Sequence, residues 1–263
     1  MGKTYVVMST KGGSGKSTIS IMALPIVFAD TKGPVNVYSI DNHNIVDIKS
    51  EYLNMKSLRL SEAKNIIDEV EFFQMINDDG VNIIDSGGGK DTLELLELIG
   101  KTKMKGLTYI VPIMDDIEQT FNLKKTVLAI KKISPDADIH LCLNRCNGYT
   151  EEAVKEQFIG FFGSQKYGIS AAFDDIDDHI NNVFMLRSSP MFSIVKSISQ
   201  TTLLDAYHQG NDLLENLDKL KREWAKKGKE TFMINNTKVR IAHDVNTLCA
   251  EIVDNFKALR EES

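Results

Sequence analysis

Short, almost unbroken apolar runs recur along the first part of the chain. They are Thr4–Met8, Val35–Ile40, Val81–Ile84, Leu107–Ile113, Ile139–Leu143 and Val183–Leu186, four to seven residues each. A strand with one wet face alternates apolar and polar residues, whereas a strand covered on both faces does not. The runs therefore predict a parallel sheet buried on both sides. Between them, apolar residues at helical spacing predict helices over Lys16–Ala29, Leu60–Ile76, Thr92–Ile99, Ile117–Ile133 and Thr150–Phe162. Strand–helix–strand alternation implies right-handed crossovers, which put helices on both faces of the sheet. The expected fold is a doubly wound α/β domain over residues 1–200, with no Pro/Gly/Ser linker to divide it.

After Ser199 the pattern changes. Leu213, Leu217, Leu220 and Trp224 predict one long helix over Thr201–Lys227, ending near Gly228. Thr231–Ile234 and Lys238–Ile241 flank Asn235-Asn236 and predict a small hairpin. Val245–Leu259 predicts a last helix, with Val245, Cys249, Ile252, Phe256 and Leu259 on one stripe. Residues 201–263 are expected as a helical extension packed on the same domain.

One segment carries specific chemistry. Lys11-Gly12-Gly13-Ser14-Gly15-Lys16-Ser17-Thr18 follows a predicted strand and opens a predicted helix, the context of a phosphate-binding loop. Glycines let successive backbone N–H groups converge on phosphate oxygens, and the helix N-terminus adds its positive dipole end. Lys16 is placed to reach the β- and γ-phosphates, and the Ser17 hydroxyl to ligate Mg²⁺. The usual pattern has a glycine five positions before Gly15. Here that position is Thr10, and a second lysine, Lys11, precedes the glycine pair.

This arrangement resembles the deviant-Walker ATPases of the ParA/MinD family, marked by Lys-Gly-Gly-x-Gly-Lys-Ser/Thr. The resemblance implies ATP and Mg²⁺ as cofactors and an ATP-sandwiched homodimer, in which Lys11 crosses to the partner's phosphates. It implies that Asp41, at the end of Val35–Ile40, is the switch I aspartate. Val81-Asn82-Ile83-Ile84-Asp85 matches the Walker B strand, whose carboxylate holds Mg²⁺ through water. Ser86-Gly87-Gly88-Gly89 then occupies switch II, where relatives often carry Thr-Pro-Pro. Asn144 falls where the family hydrogen-bonds the adenine edge, and Arg187-Ser188-Ser189-Pro190 where its loop packs under the base. The similarity covers roughly residues 3–215.

One departure bears on turnover. Partition-type relatives carry Asp-x-Asp after the second strand, and this chain reads Asp41-Asn42-His43. Histidine can orient water or accept a proton near neutral pH, so His43 is a candidate catalytic residue beside Lys11, Lys16 and Asp41. The expectation is a slow ATPase, with an ATP-binding switch of little hydrolysis as the alternative.

Composition narrows the setting. Across 263 residues, 42% apolar and 26% charged exclude a disordered chain, and three cysteines argue against a secreted disulfide framework and fit a reducing cytoplasm. The first residues, Met1 to Ser9, do not read as a signal peptide. Cys142 and Cys146 lack zinc spacing, and Asp174 to Asp178 lacks that of a calcium loop.

A formal net charge of −6 gives no global attraction to nucleic acid. Yet Lys219, Lys221, Arg222, Lys226, Lys227 and Lys229 crowd a short stretch with Glu223 as its only acid. Such a stretch can follow a DNA backbone without reading bases, or simply be a solvated face. The final helix carries Glu251, Asp254, Glu261 and Glu262 on its polar face, which disfavours a membrane anchor.

The expected function is nucleotide-gated segregation or positioning of DNA, such as a plasmid, through nonspecific DNA contact and a small adaptor protein. Three rivals stay open: a MinD-like spatial regulator of a membrane or conjugation apparatus, a phosphotransferase acting on a small acid, and an ATP-loaded interaction protein without turnover.

Overall fold

All six apolar runs become strands, and a seventh joins them at one edge. The computed structural model describes residues 2–42, 48–148, 150–172, 174 and 176–261. The strands are β1 (Lys3–Val7), β2 (Val35–Ile40), β3 (Asn54–Leu58), β4 (Val81–Ser86), β5 (Leu107–Ile113), β6 (Asp138–Cys146) and β7 (Asn182–Arg187). They lie in the order β3-β2-β4-β1-β5-β6-β7, with every pair parallel. β1 is central, and Asp85 stands level with Val7 on one side and Ser39 on the other. The C-terminal ends of β1, β2 and β4 thus bring three loops to one sheet edge, where ligands of open α/β sheets bind.

Strand β3 was not anticipated, for a physical reason. Asn54-Met55-Lys56-Ser57-Leu58 is a half-exposed edge strand and carries no apolar run. Its pairing comes from backbone register with β2 and from Asn54 Nδ2 donating to Asn36 Oδ1 at 3.0 Å.

Eleven helical segments are used below. Helix α1 begins as a wide π-wound stretch, Thr18–Ala23, and continues through Leu24–Val27. On one sheet face lie α2 (Ala63–Ile76), α3 (Lys90–Thr102), α4 (Ile117–Ile133), α5 (Glu151–Gln157) and α6 (Ile159–Phe162). Their core includes Ile67, Val70, Leu95, Val127 and Phe158 packed with Val6, Ile84 and Leu141 from the strands. The opposite face is covered by α1, α7 (Pro190–Ser193), α8 (Leu203–Glu215), α10 (Lys229–Asn255) and α11 (Ala258–Glu261), with α9 (Leu217–Lys226) between α8 and α10. Leu203, Leu204, Val245, Leu248, Ile252, Phe256 and Leu259 share one core with Tyr5, Val37, Ile83 and Phe184. Burying aliphatic side chains at ~1.5–3 kcal/mol each ties the C-terminal helices to the sheet.

Two expectations for this C-terminal part are corrected. The proposed hairpin around Asn235-Asn236 is instead the interior of α10, a helix of 27 residues. Val239, Ala242, Val245, Leu248, Cys249 and Ile252 form its buried stripe, so the helical period wins over two short β-branched runs. Asn235 Nδ2 donates to Thr231 O at 2.8 Å, satisfying its polarity within the helix instead of in a turn. The single helix Thr201–Lys227 is broken at Asn216, whose backbone (φ −98°, ψ 13°) leaves the helical region and separates α8 from α9. Its expected end is observed: Gly228, at φ +107°, turns the chain into α10. At Gly210 an added Cβ would stand 3.2 Å from Ala242 Cβ, which lets α8 and α10 pack closely.

Candidate nucleotide-binding site

The loop from Ser9 to Ser17 leaves the end of β1 and feeds α1. Gly13 and Gly15 occupy the left-handed region, at φ +77° and +90°. A Cβ on Gly15 would lie 1.8 Å from Asn144 Nδ2, so only glycine fits there. By contrast, a Cβ on Gly12 or Gly13 would meet nothing of the protein within 4 Å. Their bare backbone opens outward, as a cradle for an anion requires. Asn144, buried at the end of β6, donates from Nδ2 to Ser14 O at 3.0 Å and accepts from Arg145 N at 2.9 Å. Backbone N–H groups of Thr18 and Ile19 close onto Gly15 O, each at 3.1 Å.

Charge collects inside this loop. Lys16 is only 8% exposed and donates from Nζ to Lys11 O at 3.3 Å. Burial lowers its pKa, while the charges of Asp85 and Asp41 pull it back up. Asp85 is 3% exposed, and its Oδ1 has no hydrogen-bond partner. Burial pushes its carboxyl up to about 6, opposed by the nearby Ser17 and Ser20 hydroxyls and by the Lys16 charge. The Ser14 hydroxyl is likewise buried without a partner. Buried polar atoms left unpaired cost roughly 1–3 kcal/mol each, so two of them beside a cationic loop mark a place for a ligand.

One hydroxyl (Ser17) and two carboxylates (Asp85, Asp41) could hold Mg²⁺, an ion that keeps positions for phosphate oxygens and water and needs no all-protein cage. Among the described residues no cluster of three or more His, Cys, Asp or Glu side chains could hold a metal by itself.

Lys11 points away from the loop along the protein's own surface. Its Nζ lies 2.6 Å from Glu118 Oε2 and 3.2 Å from Asp116 Oδ2, both at the start of α4. The Glu118 contact is the main reason its pKa is raised, with Asp116 adding to it. Asp116 also caps α4, accepting from Glu118 N at 2.9 Å. Thr10, in the place of the missing glycine, is tied to α4 as well: its Oγ1 lies 3.0 Å from Thr126 Oγ1 and donates to Asn122 O at 3.3 Å. A hydroxyl that anchors the loop to α4 accounts for a threonine there.

The neighbouring loops are joined by residues the sequence reading did not single out. Asp91, in the first turn of α3, accepts from Asn42 N at 3.0 Å and from Asn42 Nδ2 at 3.1 Å. Thr92 Oγ1 stands 2.6 Å from Gly87 O and 2.9 Å from Ser9 O. Gly87 N donates to Ile40 O at 2.6 Å. The only sequence signal is an acid and a hydroxyl, Asp91-Thr92, one lysine beyond three glycines at a helix start. His43 lies outside the described residues.

The proposed base-side residues sit at the same sheet edge. Arg187, at the end of β7, pairs with Glu251 of α10 at 3.0 Å. Pro190 opens α7 behind a Ser189 cap and, with Arg187, Thr247 and Glu251, lines a hollow of about 360 Å³. Far along the chain, Lys219, Arg222, Lys226 and Lys227 are exposed and Lys221 is half-buried, on and just beyond α9, while Trp224 is buried.

No family model matches the chain, and no curated protein matches it. Solved structures do. Apo McdA from Cyanothece aligns over 74% of this chain and 89% of its own, at 13% identity and a TM-score of 0.51. A plasmid partition protein from Borrelia burgdorferi B31 bound to AMPPNP aligns over 76% of this chain and 91% of its own, at 13% identity and 0.49. MinD from Pyrococcus horikoshii with Mg-ADP covers 73% of this chain and 83% of its own, at 15% identity and 0.46. The fold is shared with McdA, and the expected glycine-rich loop lies at the end of its central strand.

Proposed function

We propose that this chain is a Mg²⁺-dependent, ATP-binding ParA-like ATPase of slow turnover. In this reading it forms an ATP-sandwiched homodimer and segregates or positions DNA with an adaptor protein. The observation that carries the nucleotide assignment is the loop itself. Gly12 and Gly13 leave open backbone, while Lys16 and the unpartnered Asp85 Oδ1 sit buried beneath it. Lys16 would meet the β- and γ-phosphates, with the N–H groups of residues 12–18 around them. Ser17, Asp85 and Asp41 would hold the metal, which neutralises phosphate charge when bound. Phosphoryl transfer depends mainly on positioning and charge neutralisation, which Lys11 and Lys16 supply in this scheme. His43 is the proposed water-orienting residue. Asn144, Arg187 and Pro190 are the proposed base-side contacts.

The DNA reading rests on α9. Its bases, exposed except for the half-buried Lys221, surround a single buried indole and present charge outward in a chain of net negative charge. Among the described residues no helix is long and apolar enough to cross a membrane. Titration of ATP with Mg²⁺ into the protein, followed by light scattering with and without a DNA duplex, tests the proposal. Nucleotide binding, an ATP-dependent rise in mass and DNA retention are expected together. Liposome retention without DNA retention would select the membrane-side alternative.

A further inference from the structure

Asp91 belongs to no motif, yet it joins two of the loops that surround the phosphate cradle. It sits in the first turn of α3, one residue beyond Gly87-Gly88-Gly89 and Lys90, and is only 7% exposed. Both carboxylate oxygens are spent on one residue: Oδ2 accepts from Asn42 N and Oδ1 from Asn42 Nδ2. Asn42 Oδ1 in turn accepts from Leu60 N at 3.0 Å. Asn42 directly follows Asp41, whose own backbone N–H donates to Leu58 O at 3.1 Å. Asp41 and Asp85 both act electrostatically on Lys16, so Asp41 stands at the cradle.

The next residue of α3 reaches the other way. Thr92 Oγ1 contacts Ser9 O at the root of the phosphate loop and Gly87 O in the glycine segment. Two successive side chains of one helix turn therefore hold the end of β2 and the end of β1. The glycine segment is confined between them, because a Cβ on Gly87 would stand 2.9 Å from Asp91 Oδ2.

We propose that Asp91 is a positioning residue: through its double hydrogen bond to Asn42 it fixes where Asp41 stands relative to the phosphate loop, and so sets how strongly Mg²⁺ supports nucleotide binding. This rests on the nucleotide reading of the same site. A carboxylate is required because Asn42 offers it two N–H donors. An amide in its place accepts one and confronts the other with its own NH₂. Residues that orient a metal-holding carboxylate change metal affinity by about 10–100-fold when they are replaced.

The test compares binding of a fluorescent ATP analogue with and without Mg²⁺, in wild type, Asp91→Asn and Asn42→Ala. Wild type is expected to bind more tightly with Mg²⁺. Asp91→Asn should lose about tenfold of that gain while its Mg²⁺-free affinity stays within about twofold of wild type. Asn42→Ala breaks the same clasp from its exposed side and keeps α3 intact, so it should shift the gain in the same direction by less. It carries the test alone if Asp91→Asn does not fold. An undiminished Mg²⁺ gain in both variants would overturn the proposal. So would an equal loss with and without the metal, which marks a merely structural residue. If wild type binds no nucleotide at all, the site reading itself falls, an outcome distinct from failure of the clasp.

Discussion

Lys11 Nζ stands 2.6 Å from Glu118 Oε2, so the lysine expected to cross to a second subunit is held by the protein's own α4. Glu118 is 74% exposed and Lys11 26%, which makes this a surface ion pair of modest strength. In the sandwich-dimer account the pair must open before Lys11 can reach a partner's phosphates. Glu118→Gln should then lower the protein concentration needed for ATP-dependent dimerisation by a few-fold. Lys11→Ala should leave monomer ATP affinity within a few-fold yet prevent dimerisation, because two ATP-bearing faces repel without a crossing cation. Light scattering with a non-hydrolysable analogue reads both, and a Lys11→Ala protein that dimerises like wild type would remove the crossing role.

A second expectation concerns Asp85. Its carboxyl is pushed up to about 6 in the folded protein, above the ordinary aspartate value near 3.9. The folded state therefore binds the proton more tightly than the unfolded state. Stability contributed by the protonated form is present below about pH 4 and is lost as pH rises through about 6. Asp85→Asn should make the ligand-free protein more stable at pH 7, by about 1–3 kcal/mol, and flatten its stability between pH 4 and 6. Urea unfolding across that range checks it. A less stable variant at pH 7 would show that the ionised carboxylate is satisfied in the folded chain.

Asn144 was placed at the base of the nucleotide by resemblance, and the structure shows it bracing the loop through Ser14 O. Asn144→Ala deletes that bond and the one from Arg145 N. A loss of about 1–3 kcal/mol of stability is expected, together with weaker nucleotide binding. Thermal unfolding and calorimetry would separate the two, and unchanged affinity would confine Asn144 to a structural role.

Much of this was legible in the residues, and the exceptions have physical causes. Near-continuous burial on both faces makes β1, β2, β4, β5 and β6 visible as apolar runs, and the half-buried edge strand β7 is visible through Val183-Phe184-Met185-Leu186. The half-exposed β3 is held by backbone pairing, which leaves no such trace. Local β-branched runs around Asn235 suggested a turn, but a buried stripe extending to Ile252 overrode them. The glycine-rich loop after β1 was readable because the proposed phosphate chemistry needs fixed residue types at fixed spacing. The clasp of Asp91 and Asn42 was not, because two residues 49 positions apart meet only through the fold.

The basic stretch gives an expectation independent of the loop. Replacing Lys221, Arg222, Lys226 and Lys227 with Glu should abolish retention on a nonspecific duplex and leave ATP affinity unchanged. Wild-type retention should weaken steeply with salt, as phosphate-bound counterions are released. Filter binding over a salt series measures this, and no wild-type retention at low salt with ATP present would leave α9 a solvated face.

The central claim is that the cradle between Lys11 and Thr18 binds a nucleoside triphosphate through Lys16. Isothermal titration of Mg-ATP into wild type and Lys16→Ala tests it most directly. Wild type should give saturable binding. Lys16→Ala, with the same fold by circular dichroism, should give none, since the buried cation facing the phosphates is gone. Equal affinity in the two proteins would contradict the account.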